Sequence, residues 1–159
     1  MKIALGSDHR GDHAAGVLAE HLTKSGHDVE IVGTRGPRSR DYPDAAWTVG
    51  RAVAGSAADL GVLLCGSGNG VAIAANKIAG IRAAVAGDAH AAAMARQHNN
   101  ANVLAVGSDH LDDADICTVV DAWLNATFEG GRHARRVEKI AAIERGVDPT
   151  TIESGAAAR

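Results

Sequence analysis

The run Leu60-Gly61-Val62-Leu63-Leu64-Cys65 carries no charged or amide side chain at any position. A strand with one solvated face alternates apolar and polar residues. A strand apolar throughout is buried on both faces, which is the situation of a parallel sheet covered by helices above and below. The rest of the chain follows the same plan. Strands are predicted at Lys2–Ser7, His27–Gly33, Asp59–Cys65, Arg82–Ala86 and Asn102–Val106. Helices are predicted at Asp12–Ser25, Pro43–Ala54, Val71–Lys77, Ala89–His98, Asp112–Asn125 and Arg132–Glu144, and a basic loop at Thr34–Asp41. In the first helix Ala14, Val17, Leu18, His21 and Leu22 fall on one face, and Gly26 stops it as a left-handed cap. Pro43 suits the first turn of the second helix. Strand and helix in strict alternation predict a three-layer, doubly wound, Rossmann-like α/β fold. Its five-stranded parallel sheet is expected in the order 2-1-3-4-5, with a C-terminal helix beyond it. Residues 1–149 are expected to form one domain and 150–159 a flexible tail.

Composition narrows the function classes. The 159 residues hold one Phe, one Tyr, two Trp and two Met, so the core must come from Ala, Val, Ile and Leu. Such side chains bury little area each, at about 25 cal/mol per Å², and a chain built this way benefits from a partner. The formal charge of −3 provides no basic field for nucleic acid or an anionic membrane. No apolar run approaches the roughly 18 residues of a membrane span. The start Met1-Lys2-Ile3-Ala4-Leu5 has no apolar h-region, and Cys65 and Cys117 alone make no disulfide framework. A soluble cytoplasmic protein is the expectation.

In open α/β sheets ligands bind beyond the carboxyl ends of the strands. Three such ends are polar here: Ser7-Asp8-His9-Arg10-Gly11, Cys65-Gly66-Ser67-Gly68-Asn69-Gly70, and Gly107-Ser108-Asp109-His110. The second is the most telling. Its glycines allow a tight turn with exposed N–H groups, and a helix start follows. Such a turn stabilises a phosphate or a developing oxyanion, and it favours a thiolate at Cys65. A plain turn with an inert buried cysteine has the same spacing. The loop lacks the Lys-Ser/Thr ending of a phosphate-binding P-loop, and it stands in the wrong place for a dinucleotide fingerprint. Asp8-His9 could hold hydroxyl or phosphate, or Asp8 could simply cap the next helix. His98-Asn99-Asn100 ends a helix, where His and Asn are ordinary caps, yet His98 could equally act as an acid/base. Arg132, His133 and Arg136 open the last helix, where cations oppose the helix dipole. A bound anion would offset that cost, although a solvated basic face has the same sequence. The other histidines show no metal-ligand spacing, and Cys117 reads as a small core residue.

Taken in order, Gly6-Ser7-Asp8-His9, Asp41-Tyr42-Pro43, Cys65-Gly66-Ser67-Gly68-Asn69-Gly70 with Ala74-Ala75-Asn76-Lys77, His98-Asn99-Asn100 and Glu129-Gly130-Gly131-Arg132-His133 resemble the type B ribose-5-phosphate isomerases. That family also holds galactose-6-phosphate isomerase, and the resemblance spans about residues 1–145. It implies an aldose–ketose isomerase that needs no metal or organic cofactor and works through a cis-enediolate. By the same resemblance Cys65 is the base, Ser67 and the amides of Gly66, Gly68, Asn69 and Gly70 stabilise the enediolate, and His98 opens the sugar ring. Asp8 and Asn99 orient hydroxyls, and Tyr42 lines the pocket. His9, Arg132 and Arg136, with His133 nearby, hold the phosphate. The family builds its site between two subunits, so a homodimer, or a tetramer of such dimers, is implied.

Two positions separate this chain from parts of the family. Some members place a Glu base directly after the glycine loop. Here that residue is Val71, which leaves Cys65 as the base. After strand 5 the family usually carries a phosphate-binding Arg, and here it is Asp109. Arg10 could replace the lost charge, or the substrate could be another sugar or sugar phosphate of tetrose, allose or galactose type. A non-catalytic phosphate- or nucleotide-binding module is the alternative of a different class.

Overall fold

The computed structural model describes residues 1–33 and 41–152. The elements, in chain order, are β1 (Lys2–Ser7), α1 (Asp12–Lys24), β2 (Asp28–Ile31), α2 (Tyr42–Ala54), β3 (Leu60–Cys65) and α3 (Asn69–Ala75). They continue as β4 (Ala83–Val85), α4 (Ala89–Asn99), β5 (Val103–Gly107), α5 (Asp113–Asn125) and α6 (Arg132–Glu144), with a 3-10 turn at Pro149–Thr151. The expected basic loop lies, apart from Asp41, outside the described residues. So does most of the expected tail, although its first residues, Thr150 and Thr151, belong to the 3-10 turn that Asp148 caps.

All four strand pairings are parallel. The sheet order is β2-β1-β3-β5-β4, which corrects the expected positions of the last two strands. The reason is burial. All five residues of β5 are buried, so this strand needs a neighbour on each side. The three residues of β4 are half-buried or exposed, which suits an edge.

Side chains alternate across the pleat, as strand geometry demands. Ile3, Leu5, Val62, Leu64, Leu104 and Val106 face a layer made mainly by α1 and α5, where Leu18, Leu22, Ile116 and Trp123 are fully or almost fully buried. Each such residue contributes about 1.5–3 kcal/mol relative to exposure. Ala4, Leu63, Cys65, Val103 and Ala105 face the opposite layer, with Val49 and Val53 of α2 and Val71 and Ala72 of α3. Cys65 therefore ends a central strand on the α2/α3 side. His13–Asp113 and His21–Asp121 pair α1 to α5 at 3.0 and 2.8 Å. Cys117 packs partly buried against the core, and burial pushes its thiol pKa up.

Several large apolar side chains stay exposed: Trp47, Ile73, Val85, Ile140 and Ile143. Between the end of α3, the start of β4, the end of α4 and α6 lies a cavity of about 650 Å³, bordered by Ile81, Arg82, Asn99, Ile140 and Ile143. Among the described residues, no helix is long and apolar enough to cross a membrane.

Candidate active site

The glycine loop is shaped by contacts that tolerate little side-chain volume. Gly68 has φ +78°, a left-handed conformation that glycine adopts without strain. Its N–H donates to Cys65 Sγ at 3.1 Å. That bond fixes the sulfur against the turn of the loop. Ser67 Oγ accepts from Asn69 N at 3.3 Å. The amides of Gly70 and Val71 lie in the first turn of α3, where helix geometry supplies no partner. Helix α3 begins at Asn69, two residues earlier than the sequence pattern indicates, because the loop tightens directly into a turn. Tyr42 lies against this turn: a methyl group on Gly70 would stand 2.8 Å from its ring. Val71 is fully buried in the α2/α3 layer, so no carboxylate stands at the mouth of the loop there.

The ends of β1 and β5 close in on either side. Asp8 is 6% exposed, and its Oδ1 accepts from the N–H groups of Arg10 and Gly11 at 2.9 and 3.2 Å. One oxygen of Asp8 thus shapes its own loop and does not cap α1, whose N-cap is Gly11 with no side-chain bond. Ser108 N and Oγ both donate to the Cys65 carbonyl, and Asp109 N donates to that of Gly66. His9 and Arg10 are exposed at the rim. One edge of the Arg10 guanidinium is paired with Asp109, Nη2 lying 2.8 Å from Oδ1. Asp8, His9, Arg10, Tyr42, Gly66, Ser67, Gly68, Asn69 and Gly70 are therefore gathered with Cys65 at one edge of the sheet.

The remaining candidates are at the opposite edge. Because every strand is parallel, α4 runs back from the carboxyl end of β4 to the amino end of β5. Its eleven residues span about 16 Å, which carries His98 and Asn99 away from Cys65. There Glu129 N donates to Gln97 O at 3.0 Å and ties the start of α6 to the end of α4. The His98 and His133 rings stack with centroids 4.0 Å apart and planes 11° from parallel. Glu129 Oε2 lies 3.6 Å from Nε2 of each. Arg132 Nε donates to His133 Nε2 at 3.1 Å. His133 is 4% exposed, and burial, then the neighbouring His98 and Arg132, hold its pKa below the usual histidine value. Arg132 and Arg136 are exposed beside it. Left-handed Asn100 is the actual cap of α4, which leaves the His98 and Asn99 side chains free of that duty.

His98, Glu129 and His133 offer three ligand atoms within 4.8 Å. The stacked rings, however, direct their in-plane lone pairs along nearly parallel lines, and Arg132 already donates to one of them. The trio reads as a stacked imidazole pair with a carboxylate 3.6 Å from each ring, rather than a cation site. Sequence reasoning left Glu129 without a role and missed the His98–His133 stack, since no helical periodicity relates α4 to α6. The Arg10–Asp109 pair was equally hidden, although two opposite charges at adjacent strand ends are a signal for it.

One chain therefore carries Cys65 and the glycine-loop amides at one end of its sheet, and the stacked His98 and His133 with Arg132 at the other. The ribose/galactose isomerase family model matches residues 3–140. Ribose-5-phosphate isomerase B of Escherichia coli is 48% identical over 143 residues, covering 90% of this chain and 96% of that protein. D-erythrulose-4-phosphate isomerase of Pectobacterium atrosepticum is 37% identical and covers 91% and 95%. The structure of Clostridium thermocellum ribose-5-phosphate isomerase B superposes with a TM-score of 0.90 at 46% identity, over 92% of this chain and 99% of that one. With the cysteine-bearing glycine loop at the mouth of its parallel sheet, the chain belongs to the ribose/galactose isomerase family, and its chemistry is that of an isomerase.

Proposed function

We propose that the protein interconverts D-ribose 5-phosphate and D-ribulose 5-phosphate in the cytoplasm, as a homodimer without a metal or organic cofactor. The observation that carries this reading is Cys65: its sulfur receives the Gly68 N–H beside amides that a helix start leaves unpartnered. A thiolate held there takes the proton from C2 and returns it to C1. The cis-enediolate formed between these transfers carries negative charge on oxygen, and the preorganised N–H groups that the loop leaves without a partner, those of Gly70 and Val71 at the start of α3, stabilise such charge without reorganising. Ser67 adds a hydroxyl. Asp8, with one oxygen outside its loop bonds, orients a sugar hydroxyl, and the Tyr42 ring walls the pocket.

The sugar arrives mainly as a closed ring, and His98 opens it by moving a proton between O1 and the ring oxygen. Since His98 and Asn99 lie about 16 Å of helix away from the thiol edge, a second copy supplies them, together with Arg132, His133 and Arg136 for the phosphate. His9 and Arg10 meet that phosphate from the first copy. The exposed apolar side chains Ile73, Val85, Ile140 and Ile143 support such a pairing, which would cover them.

A second substrate reading has one specific support, the resemblance to an isomerase of a tetrulose phosphate. Steady-state kinetics on ribose, erythrulose, allose and galactose phosphates separates the two. The account expects the highest kcat/KM on ribose 5-phosphate. A hundredfold preference for another sugar phosphate would replace the substrate and keep the chemistry. No turnover of any of them would remove the isomerase reading.

A further inference from the structure

The rim of the glycine loop carries an ion pair that stability alone does not explain. Arg10 Nε lies 3.0 and 2.9 Å from the two carboxylate oxygens of Asp109, and Arg10 Nη2 lies 2.8 Å from one of them. Both side chains are substantially exposed, 56% for Arg10 and 35% for Asp109. Pairs of this kind contribute about 0–1 kcal/mol. Yet both backbones are fixed independently. Arg10 N is held by Asp8 Oδ1, Asp109 N by Gly66 O, and Ser108 Oγ reaches both Arg10 O and Cys65 O. The pair rests directly on the loop: a methyl group on Gly66 would stand 2.6 Å from Asp109 Oδ2 and 3.1 Å from Arg10 Nε.

This arrangement occupies one edge of the guanidinium fork and leaves the other. Among the described residues nothing is bonded to Arg10 Nη1. An arginine side chain free in water carries about 2 kcal/mol of rotamer entropy, which must be surrendered when it grips a ligand. Asp109 removes that cost beforehand by holding the fork in place. A guanidinium end is shaped for bidentate contact with a phosphoryl group.

We propose that Arg10 is a phosphate-binding residue of the substrate site and that Asp109 is its positioning residue. The carboxylate at the rim is the clamp that aims the guanidinium, not an opponent of the phosphate. This deepens the sugar-phosphate reading and rests on it for the identity of the ligand. It also accounts for Gly66, since any side chain there would push the clamp off the loop.

The test uses the full chain with Arg10→Ala, Asp109→Ala and the double variant. Inorganic phosphate binding is measured by calorimetry, and KM and kcat are measured on ribose 5-phosphate. Removing a charge-assisted contact at a partly exposed site weakens binding about tenfold. Arg10→Ala is expected to weaken phosphate and raise KM by about that factor, with the loss in KM rather than kcat. Asp109→Ala is expected to move both in the same direction by about three- to tenfold, and the double variant to equal Arg10→Ala, because the two act as one unit. Tighter or unchanged phosphate binding in Asp109→Ala overturns the proposal, as does full additivity in the double variant. If the wild type isomerises no sugar phosphate, the isomerase reading fails. The calorimetric arm still decides whether Arg10 and Asp109 form a phosphate clamp.

Discussion

Replacing Gly107 with alanine adds one methyl group at the end of β5 and touches no proposed catalytic side chain. That methyl would lie 2.9 Å from the carbonyl carbon of Ser67, 3.0 Å from its oxygen and 3.1 Å from Gly66 O. These are backbone atoms, and the first distance is about half an ångström short of ordinary contact. A flexible side chain could swing away, but the loop is tied to β5 by the bonds from Ser108 N and Asp109 N to Cys65 O and Gly66 O. The loop must therefore move as a unit. Overpacking of this kind costs about 1–3 kcal/mol. A displacement approaching an ångström at a catalytic group can cost about 100-fold in rate, so half that shift is expected to lower kcat/KM by about 10–30-fold. Urea unfolding and initial rates on ribose 5-phosphate measure the two effects. Gly16→Ala provides the comparison. Gly16 lies inside α1 with nothing within 4 Å of the added methyl, and helix propensity predicts a gain of about 1 kcal/mol with unaltered kinetics. Wild-type kcat/KM in Gly107→Ala would refute the claim that the loop's backbone position governs catalysis.

Two further outcomes are expected. Cys65→Ala should lower kcat at least about 1,000-fold through loss of the base, while calorimetry still detects ribose 5-phosphate binding; near-normal turnover would assign the base elsewhere. Stability should fall with pH through His133. Its pKa is lowered in the fold, so the unfolded chain binds more protons, and stability is present above the ordinary histidine value of about 6.5 and lost as pH falls below it. His133→Asn should flatten that slope in urea titrations between about pH 5 and 7, and an unaltered slope would contradict the assignment.

Local pattern revealed much of this molecule. The ends of β1 and of the last helix, α6, coincide with those read from the chain, because apolar runs and glycine stops are local facts. Cys65 and its glycine loop were legible for the same reason. Strand order was not, since the choice between β4 and β5 for the place beside β3 is made by tertiary burial. A clue was present all the same: Ala83-Ala84-Val85 is less bulky than Val103-Leu104-Ala105-Val106, as befits an edge. The Arg10–Asp109 pair and the stacking of His98 on His133 join residues 99 and 35 positions apart, beyond the reach of any periodicity. Asp8 shows a mixed case. Its turn onto the N–H groups of Arg10 and Gly11 follows a local rule, and its remaining oxygen is available for chemistry only because the loop stands at the carboxyl edge of the sheet.

The scarcity of large core residues acquires a purpose if the site is shared between copies, because neither end of one chain then suffices for catalysis and sharing is open to test. Mixing two inactive proteins tests it most directly. Cys65→Ala lacks the thiol half-site, and His98→Asn lacks the imidazole half-site. After unfolding and joint refolding at equal concentrations, random pairing makes about half of the dimers mixed. Each mixed dimer has one intact site out of two, so the account predicts about a quarter of wild-type activity, with neither variant active alone. A mixture as inactive as its components, with exchange verified by mass spectrometry, would contradict it.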